Sequence, residues 1–199
     1  MSWTTGTQTE TLGANNAVGA ALTASATPTV ISPSTGAAYL PTNFFLPSYG
    51  IGKSLLVKAS GAVTITAANL TLAVQASTAL GTALGSGLVT GTTGILASTN
   101  AVAGVTATNA PWELECLITC VTTGSAATFL ASGSLKIYTT STTWQNFRVG
   151  STQSNPNTTA TIGASGTVLN GGYYIELSAN WSTTSQSITC YSYICLGLN

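Results

Sequence analysis

Charge is what this chain most conspicuously lacks. Its 199 residues include four lysines and arginines, four acidic residues and no histidine, so 4% of the chain is charged and its net charge is zero. An average soluble protein is about 25% charged. The acids are all glutamates (Glu10, Glu113, Glu115 and Glu176), and there is no aspartate. A Ser-His-Asp or Cys-His arrangement therefore has no members to draw on, and an aspartic dyad is excluded. With no basic excess, neither nucleic acid nor an anionic membrane is an expected partner. Long apolar runs are missing too, because Thr, Gly or Glu breaks each one well short of the roughly 20 residues of a membrane span. The start, MSWTTGTQTE, has neither the basic nor the apolar region of a secretory signal, so the chain is expected to be made and kept in the cytoplasm.

Cysteine is sparse and badly spaced for metal. Cys116, Cys120, Cys190 and Cys195 form no CxxC pair, and no histidine completes a zinc set. Read by strand parity, Cys116 and Cys120 share a face, whereas Cys190 and Cys195 fall on opposite faces. Buried thiols acting as small hydrophobes fit better than a zinc site, and cross-strand disulfides are the alternative. No cofactor is expected. A glycosidase would need two facing carboxylates. Glu113 and Glu115 lie two apart on one strand face, with Glu176 the one residue placed to oppose them, but pairing with Lys136 or Arg148, or plain solvation, explains them better. Gly52-Lys53-Ser54 echoes a phosphate loop, yet a strand follows where a helix is required. An enzyme is not expected.

What is present is the vocabulary of strands. Thr, Ser, Ala and Gly dominate, with Val, Ile and aromatics in short alternating runs. Leu55, Val57 and Ala59 share a face, as do Leu70, Leu72, Val74 and Ala76. In 112–123, Trp112, Leu114, Cys116, Ile118 and Cys120 alternate against Glu113, Glu115, Leu117, Thr119 and Val121. Two closing strands, Tyr173–Trp181 and Ser187–Leu196, read as a hairpin with Ile188, Cys190, Ser192, Ile194 and Leu196 on one face. Further short strands are expected at Thr29–Ser32, Gly94–Ala97, Ala126–Thr139, Trp144–Val149 and Thr158–Ile162. The pattern predicts an all-β fold: a jelly-roll β-sandwich of about eight to ten antiparallel strands, with an N-terminal extended arm. The arm is residues 1–27 and the jelly-roll domain residues 28–199, with a Gly/Ser/Thr/Ala-rich insertion or long loop at 77–110. Sheet edges are usually guarded by lysine or proline. With three lysines in the whole chain, covered edges and faces are expected, and the natural cover is other subunits.

Four stretches together resemble tailed-bacteriophage virion proteins with a TNF-like jelly roll. They are LPTNFF (40–45), GKSLLVKASG (52–61), ELECLITCVTTGSAATFLASGSLKIYT (113–139) and YIELSANWSTTSQSITCYSYICLGL (174–198). The resemblance covers most of residues 40–199, is structural rather than catalytic, and departs from the pattern at 77–110. It implies a virion protein at the capsid surface: a capsid decoration (cement) protein that binds the major capsid protein as a homotrimer. The alternative it implies is a head-fibre or tail-fibre knob that binds a host receptor or glycan, where Tyr49, Trp144, Tyr191 and Tyr193 are the aromatics available to stack on sugars. For subunit contacts the expected residues are Trp3 and Leu12 in the arm and the cluster Leu40, Phe44 and Phe45, for which core packing is the competing reading.

Overall fold

The structure, a computed structural model, describes residues 9–15, 17–23, 25–41, 44–45, 51–66, 69–77, 79–81, 93–99, 101–123, 127–140, 142–150, 160–162, 173–182 and 186–198. These residues form thirteen strands and no helix: β1 (Thr9–Asn15), β2 (Leu22–Thr23), β3 (Thr29–Val30), β4 (Ala38–Leu40), β5 (Ser54–Thr66), β6 (Leu70–Ser77), β7 (Thr93–Thr99), β8 (Thr106–Thr122), β9 (Ala127–Tyr138), β10 (Trp144–Gly150), β11 (Ala160–Ile162), β12 (Tyr173–Trp181) and β13 (Ser187–Leu198). The count exceeds the expected eight to ten because several elements are only two or three residues long.

One antiparallel path, β1-β13-β5-β8-β9-β10-β7-β6-β12-β3, joins the strands, with β2 beside β13, β4 beside β12 and β11 beside β9. The path doubles back on itself. β1, β13, β5 and β8 make one layer, β7, β6, β12 and the short β3 and β4 make the other, and β9 and β10 carry the ladder around one side. Successive strands change layer: β5 in the first, β6 and β7 in the second, β8 in the first, β12 in the second, β13 in the first. This is the jelly-roll order, with β9 to β11 added between β8 and β12. A buried hydrogen bond spans the layers, Tyr193 Oη of β13 donating to Ile175 O of β12 at 2.7 Å.

The inward faces follow from period-two alternation. Leu55, Val57, Trp112, Leu114, Cys116, Ile118, Phe129, Leu135 and Ile137 from the first side meet Leu70, Leu72, Val74, Ile175, Leu177, Ala179 and Trp181 from the other in one buried cluster. Each large apolar side chain so buried contributes about 1.5–3 kcal/mol relative to exposure, the main force holding the two layers together.

Three expectations change. The closing strands are not a hairpin: β12 pairs with β6, β3 and β4, whereas β13 pairs with β5, β1 and β2. Neighbours in sequence, they are opposed in space. Second, the register of β13 on β5 shifts between Cys190 and Ser192. This bulge inverts the alternation, so Tyr193 and Cys195 point inward with Ile188 and Cys190, and Ile194 and Leu196 turn outward. All four cysteines are thus buried thiols. Burial pushes Cys116, Cys190 and Cys195 up to about 12 and Cys120 to about 11, far from the reactive thiolate.

Third, part of the expected arm lies on its own chain. β1 pairs along β13 from Thr9↔Leu198 to Asn15↔Tyr193. Its sequence, TETLGAN, carries no alternation to read, because backbone hydrogen bonds and Leu12, packed against the core, hold it in place. Gly13 lies hard against β4 of the other layer, where a Cβ would stand 2.4 Å from Ala38 Cα. In the Gly/Ser/Thr/Ala-rich region, Thr93–Thr99 is a strand and β8 already begins at Thr106. Residues 82–92 lie outside the described set.

Candidate functional site

The outward face of the first layer concentrates the chain's scarce charge. Cross-strand register places residues in rows. Ile194, Lys58, Glu115, Ser134 and Arg148 form one row, and Ser192, Ser60, Glu113, Lys136 and Asn146 the next. Beside them Leu196, Leu56 and Leu117 form an apolar row across β13, β5 and β8, with Leu117 39% exposed. Five of the eight charged residues therefore share one face with three leucines. The face is concave, with a cavity of about 640 Å³ whose lining includes Lys58, Glu113, Glu115, Leu117, Lys136 and Ile194. Lys58 Nζ and Glu115 Oε2 are 2.9 Å apart, and both side chains are about half exposed. Such a pair contributes about 0–1 kcal/mol to folding.

At one end of this face the strands form a rim. The pairing of β5 with β8 slips between Val63 and Ile65, opposite Thr108 and Asn109. Asn109 has φ 47°, the one non-glycine residue in the left-handed region among those described. Asparagine tolerates that conformation better than most residues. Its N–H donates to Thr64 Oγ1 at 3.0 Å. The bulge keeps Ala107 and Ala110 buried while Thr108 and Asn109 both face solvent. They line a groove of about 570 Å³ with Pro111, Glu113, Tyr138 and Thr140. Tyr138 Oη donates to Glu113 Oε2 at 3.2 Å. Partial desolvation, then the Glu113 charge and this hydrogen bond, raise the Tyr138 phenol above its ordinary value. Across the β9–β10 pair, Trp144 is 56% exposed, its ring centroid 6.3 Å from that of Tyr138.

Of the residues expected at subunit contacts, the described ones pack on the chain's own core. Trp3 lies outside the described residues, as does Tyr49. Leu12 is half-buried against the chain's own core. Leu40, Phe44 and Phe45 are 2%, 6% and 2% exposed and belong to that core. Phe45 stacks edge-on with Phe44 and with Phe129 of β9, at 4.8 Å and 5.2 Å, and Lys53 Nζ sits 5.0 Å from the Phe44 ring. Their contacts are internal, so a role between subunits is not carried forward for these three. Tyr193 is buried, and Tyr191 is exposed on β13. The leucine row was hidden from sequence reading by the β13 bulge. The Asn109 rim had one signal, Asn-Ala-Pro, a turn-like punctuation inside an otherwise strand-forming run.

Glu176 does not oppose Glu113 and Glu115. It sits on β12 in the other layer, 2% exposed, paired in register with Gln75. Its Oε1 accepts the Gly81 N–H at 2.8 Å, whereas Oε2 has no hydrogen-bond partner among the described residues. Burial raises its carboxyl above 4.5, with hydrogen bonds from Gly81 and Gln75 opposing in part. A carboxyl raised on folding binds its proton more tightly in the folded chain. It supports the fold at low pH, and that support is lost as pH rises from the unfolded value through the raised folded one. Glu176→Gln, which removes the desolvated charge while keeping the shape, should therefore be more stable than the parent at pH 7, by about 1–3 kcal/mol. Urea unfolding at pH 7 and pH 4 should show the difference closing toward pH 4.

No protein-family model matches the chain, and no curated protein matches it. Among solved structures it is similar to the CBM2 module of the evolved Dit of Lactobacillus casei BL23 phage J-1, at 10% identity over 97% of each chain with a TM-score of 0.32. The likeness is distant, and no residue's role is carried over from it.

Proposed function

We propose that this chain is a non-enzymatic structural protein of a tailed-phage virion, a decoration protein that binds the major-capsid lattice as a homotrimer and stabilises it. The observation that carries the reading is the outward face of the first layer, where Leu56, Leu117 and Leu196 run beside Lys58, Glu115, Glu113, Lys136 and Arg148. A protein with so few charges that gathers most of them next to an apolar row has the makings of a specific contact surface: apolar area for affinity, mixed charge for register. The resemblance to jelly-roll virion proteins and the jelly-roll strand order support the same reading. So does the fate of the carboxylates: Glu113 accepts from Tyr138, Glu115 pairs with Lys58, and Glu176 is buried in the opposite layer. Many weakly held copies on one lattice reinforce it by avidity.

The test uses purified particles and the free protein. The wild type should sediment as a trimer and bind capsids in a copy number that scales with the lattice, raising the temperature at which they lose their genome. Leu117→Lys, an exposed substitution that should change folding stability by no more than about 1 kcal/mol, should leave a folded monomer that no longer binds. A wild type that stays monomeric, or that is found in a few copies at one vertex or on the tail, would sink the decoration reading.

A further inference from the structure

We propose that β10 is an open strand edge at which a second copy of this chain pairs, β10 against β10 and antiparallel, about a two-fold axis at Asn146. β10 pairs with β9 along its whole length, from Trp144↔Tyr138 to Gly150↔Ser132. Its other side meets β7 only at Val149 and Gly150. Among the described residues, no strand pairs with that side from Trp144 to Arg148. The side chains of Trp144, Gln145, Asn146 and Arg148 are exposed, and Phe147 is half-buried.

Such an edge is normally protected by lysine, proline, a bulge or a covering segment. Over this stretch β10 has no lysine and no proline, and its register on β9 runs without a shift. Its single charge, Arg148, stands at one end. β1, at the far end of the same path, is built differently. It carries Glu10, shifts register between Thr11 and Gly13, and lies against Ala38 of β4. One outer strand is guarded and the other is not. An unguarded edge is a site for strand addition.

The sequence of the edge selects the occupant. Set antiparallel against itself about Asn146, the strand is self-complementary. Trp144 stands opposite Arg148 of the second copy, Gln145 opposite Phe147, and Asn146 opposite its own copy. Each unlike pair is made twice, as two-fold symmetry requires. Trp144, Asn146 and Arg148 share the outward face with their β9 partners Tyr138, Lys136 and Ser134. Directly opposed side chains stand about 4.5–5.5 Å apart at Cβ, which brings the guanidinium over the indole face in a cation–π contact. The exposed indole, tilted 46° on Tyr138, gains a cover. The two asparagine amides each carry a donor and an acceptor and can exchange hydrogen bonds.

Neighbouring registers do worse. Centring on Phe147 would set Trp144 opposite Gly150, where Ser98 of β7 already pairs. Centring on Gln145 would move Arg148 past the pair, opposite Thr142 in the β9–β10 turn. In the register centred on Asn146 the two Arg148 positions lie about 13 Å apart along the strands, beyond the screening length of about 8 Å at physiological salt. Five paired residues make a contact smaller than the roughly 1,000 Å² of stable association. The pairing is therefore weak between free copies and fills where many copies are held side by side. It would join neighbours edge to edge, apart from the leucine rows.

The experiment is disulfide trapping of the full chain at high concentration under mild oxidant. All four native cysteines are buried, so an engineered surface thiol reacts alone. Opposed Cα atoms in an antiparallel pair stand about 4.5–5.5 Å apart, inside the disulfide range of about 4.4–6.8 Å. Asn146→Cys should give a covalent dimer about tenfold faster than Gln145→Cys, whose two thiols are offset along the strands, or than Thr11→Cys on exposed β1. Adding Trp144→Arg to Asn146→Cys sets like charges opposite each other and should abolish the dimer. Adding Trp144→Glu instead sets a carboxylate opposite Arg148 and should keep it. Each variant replaces an exposed side chain, and its circular dichroism should match that of the parent. Dimerisation of Asn146→Cys no faster than the two control positions overturns the proposal, as do equal effects of Trp144→Arg and Trp144→Glu. No capsid enters the assay, so its failure is separate from failure of the decoration reading.

Discussion

A chain cut after Tyr191 is expected to be unfolded. β13 is an inner strand, flanked by β5 along its length and by β1 and β2 on its other side. The cut removes the register partners of Ser54–Ser60 on β5 and every partner of β1 on β13. It also takes away Tyr193 and Cys195, both buried, and with Tyr193 the hydrogen bond to Ile175 O that joins the layers. Losing the burial of these and of the half-buried Ile194, Leu196 and Leu198, at up to about 1.5–3 kcal/mol for each large side chain, consumes a stability that for a whole domain is about 5–15 kcal/mol. Circular dichroism should show loss of cooperative melting, and limited proteolysis should degrade the chain without a protected core. Retained cooperative unfolding with dispersed amide resonances would mean that β13 is not the strand described.

Gly61→Ala should be the most damaging single substitution. A Cβ at that position would fall 1.8 Å from Thr189 O and 2.9 Å from Trp112 Nε1. The closeness has a purpose: the buried Trp112 indole N–H is shared between Thr189 O at 3.2 Å and Ala62 O at 3.3 Å, beside the β13 bulge where the ladder shifts. The methyl must push β13 off β5 and break both bonds. The expected loss is about 3 kcal/mol or more, a fall in melting temperature of about 6–12 °C for a chain of this size. Trp112→Phe, which removes the donor and keeps an aromatic ring, should cost less. The double variant should cost less than the two singles together, because both act on one contact. Strictly additive losses would show that Gly61 and Trp112 do not act as a unit.

How much of this was legible depends on what each strand touches. β5 and β8 bury one face and alternate over most of their length, so Leu55–Val57–Ala59 and Trp112–Cys120 could be read. The apolar set Tyr173, Ile175, Leu177, Ala179 and Trp181 of β12 alternates in sequence although β12 is buried on both faces at its centre. β13 could be read only to Cys190, since nothing in ITCYSYICLGL marks where the extra residue of a bulge falls. Pairing was harder still: Tyr173–Trp181 and Ser187–Leu198 look like a hairpin because they are consecutive, and only the packed layers reveal that their partners are β6 and β5. Glu176 and Ser178 misled in another way, being polar positions that alternation assigns to solvent but that the structure buries. Of the candidate surfaces, Glu113, Glu115 and Trp144 were visible as residues, whereas the rows and the rim exist only once β13, β5, β8, β9 and β10 lie side by side.

The pairing of Thr9 with Leu198 has a mechanical consequence. The two ends of the described chain leave the same end of an antiparallel pair, so tension applied between them loads the β1–β13 hydrogen bonds one after another rather than all at once. β1 would peel first and at low force, because β13 carries the same tension but is also held along its other side by β5. A molecule held to a large particle through both ends would thus have a compliant element built into its attachment, with its folded body protected behind it.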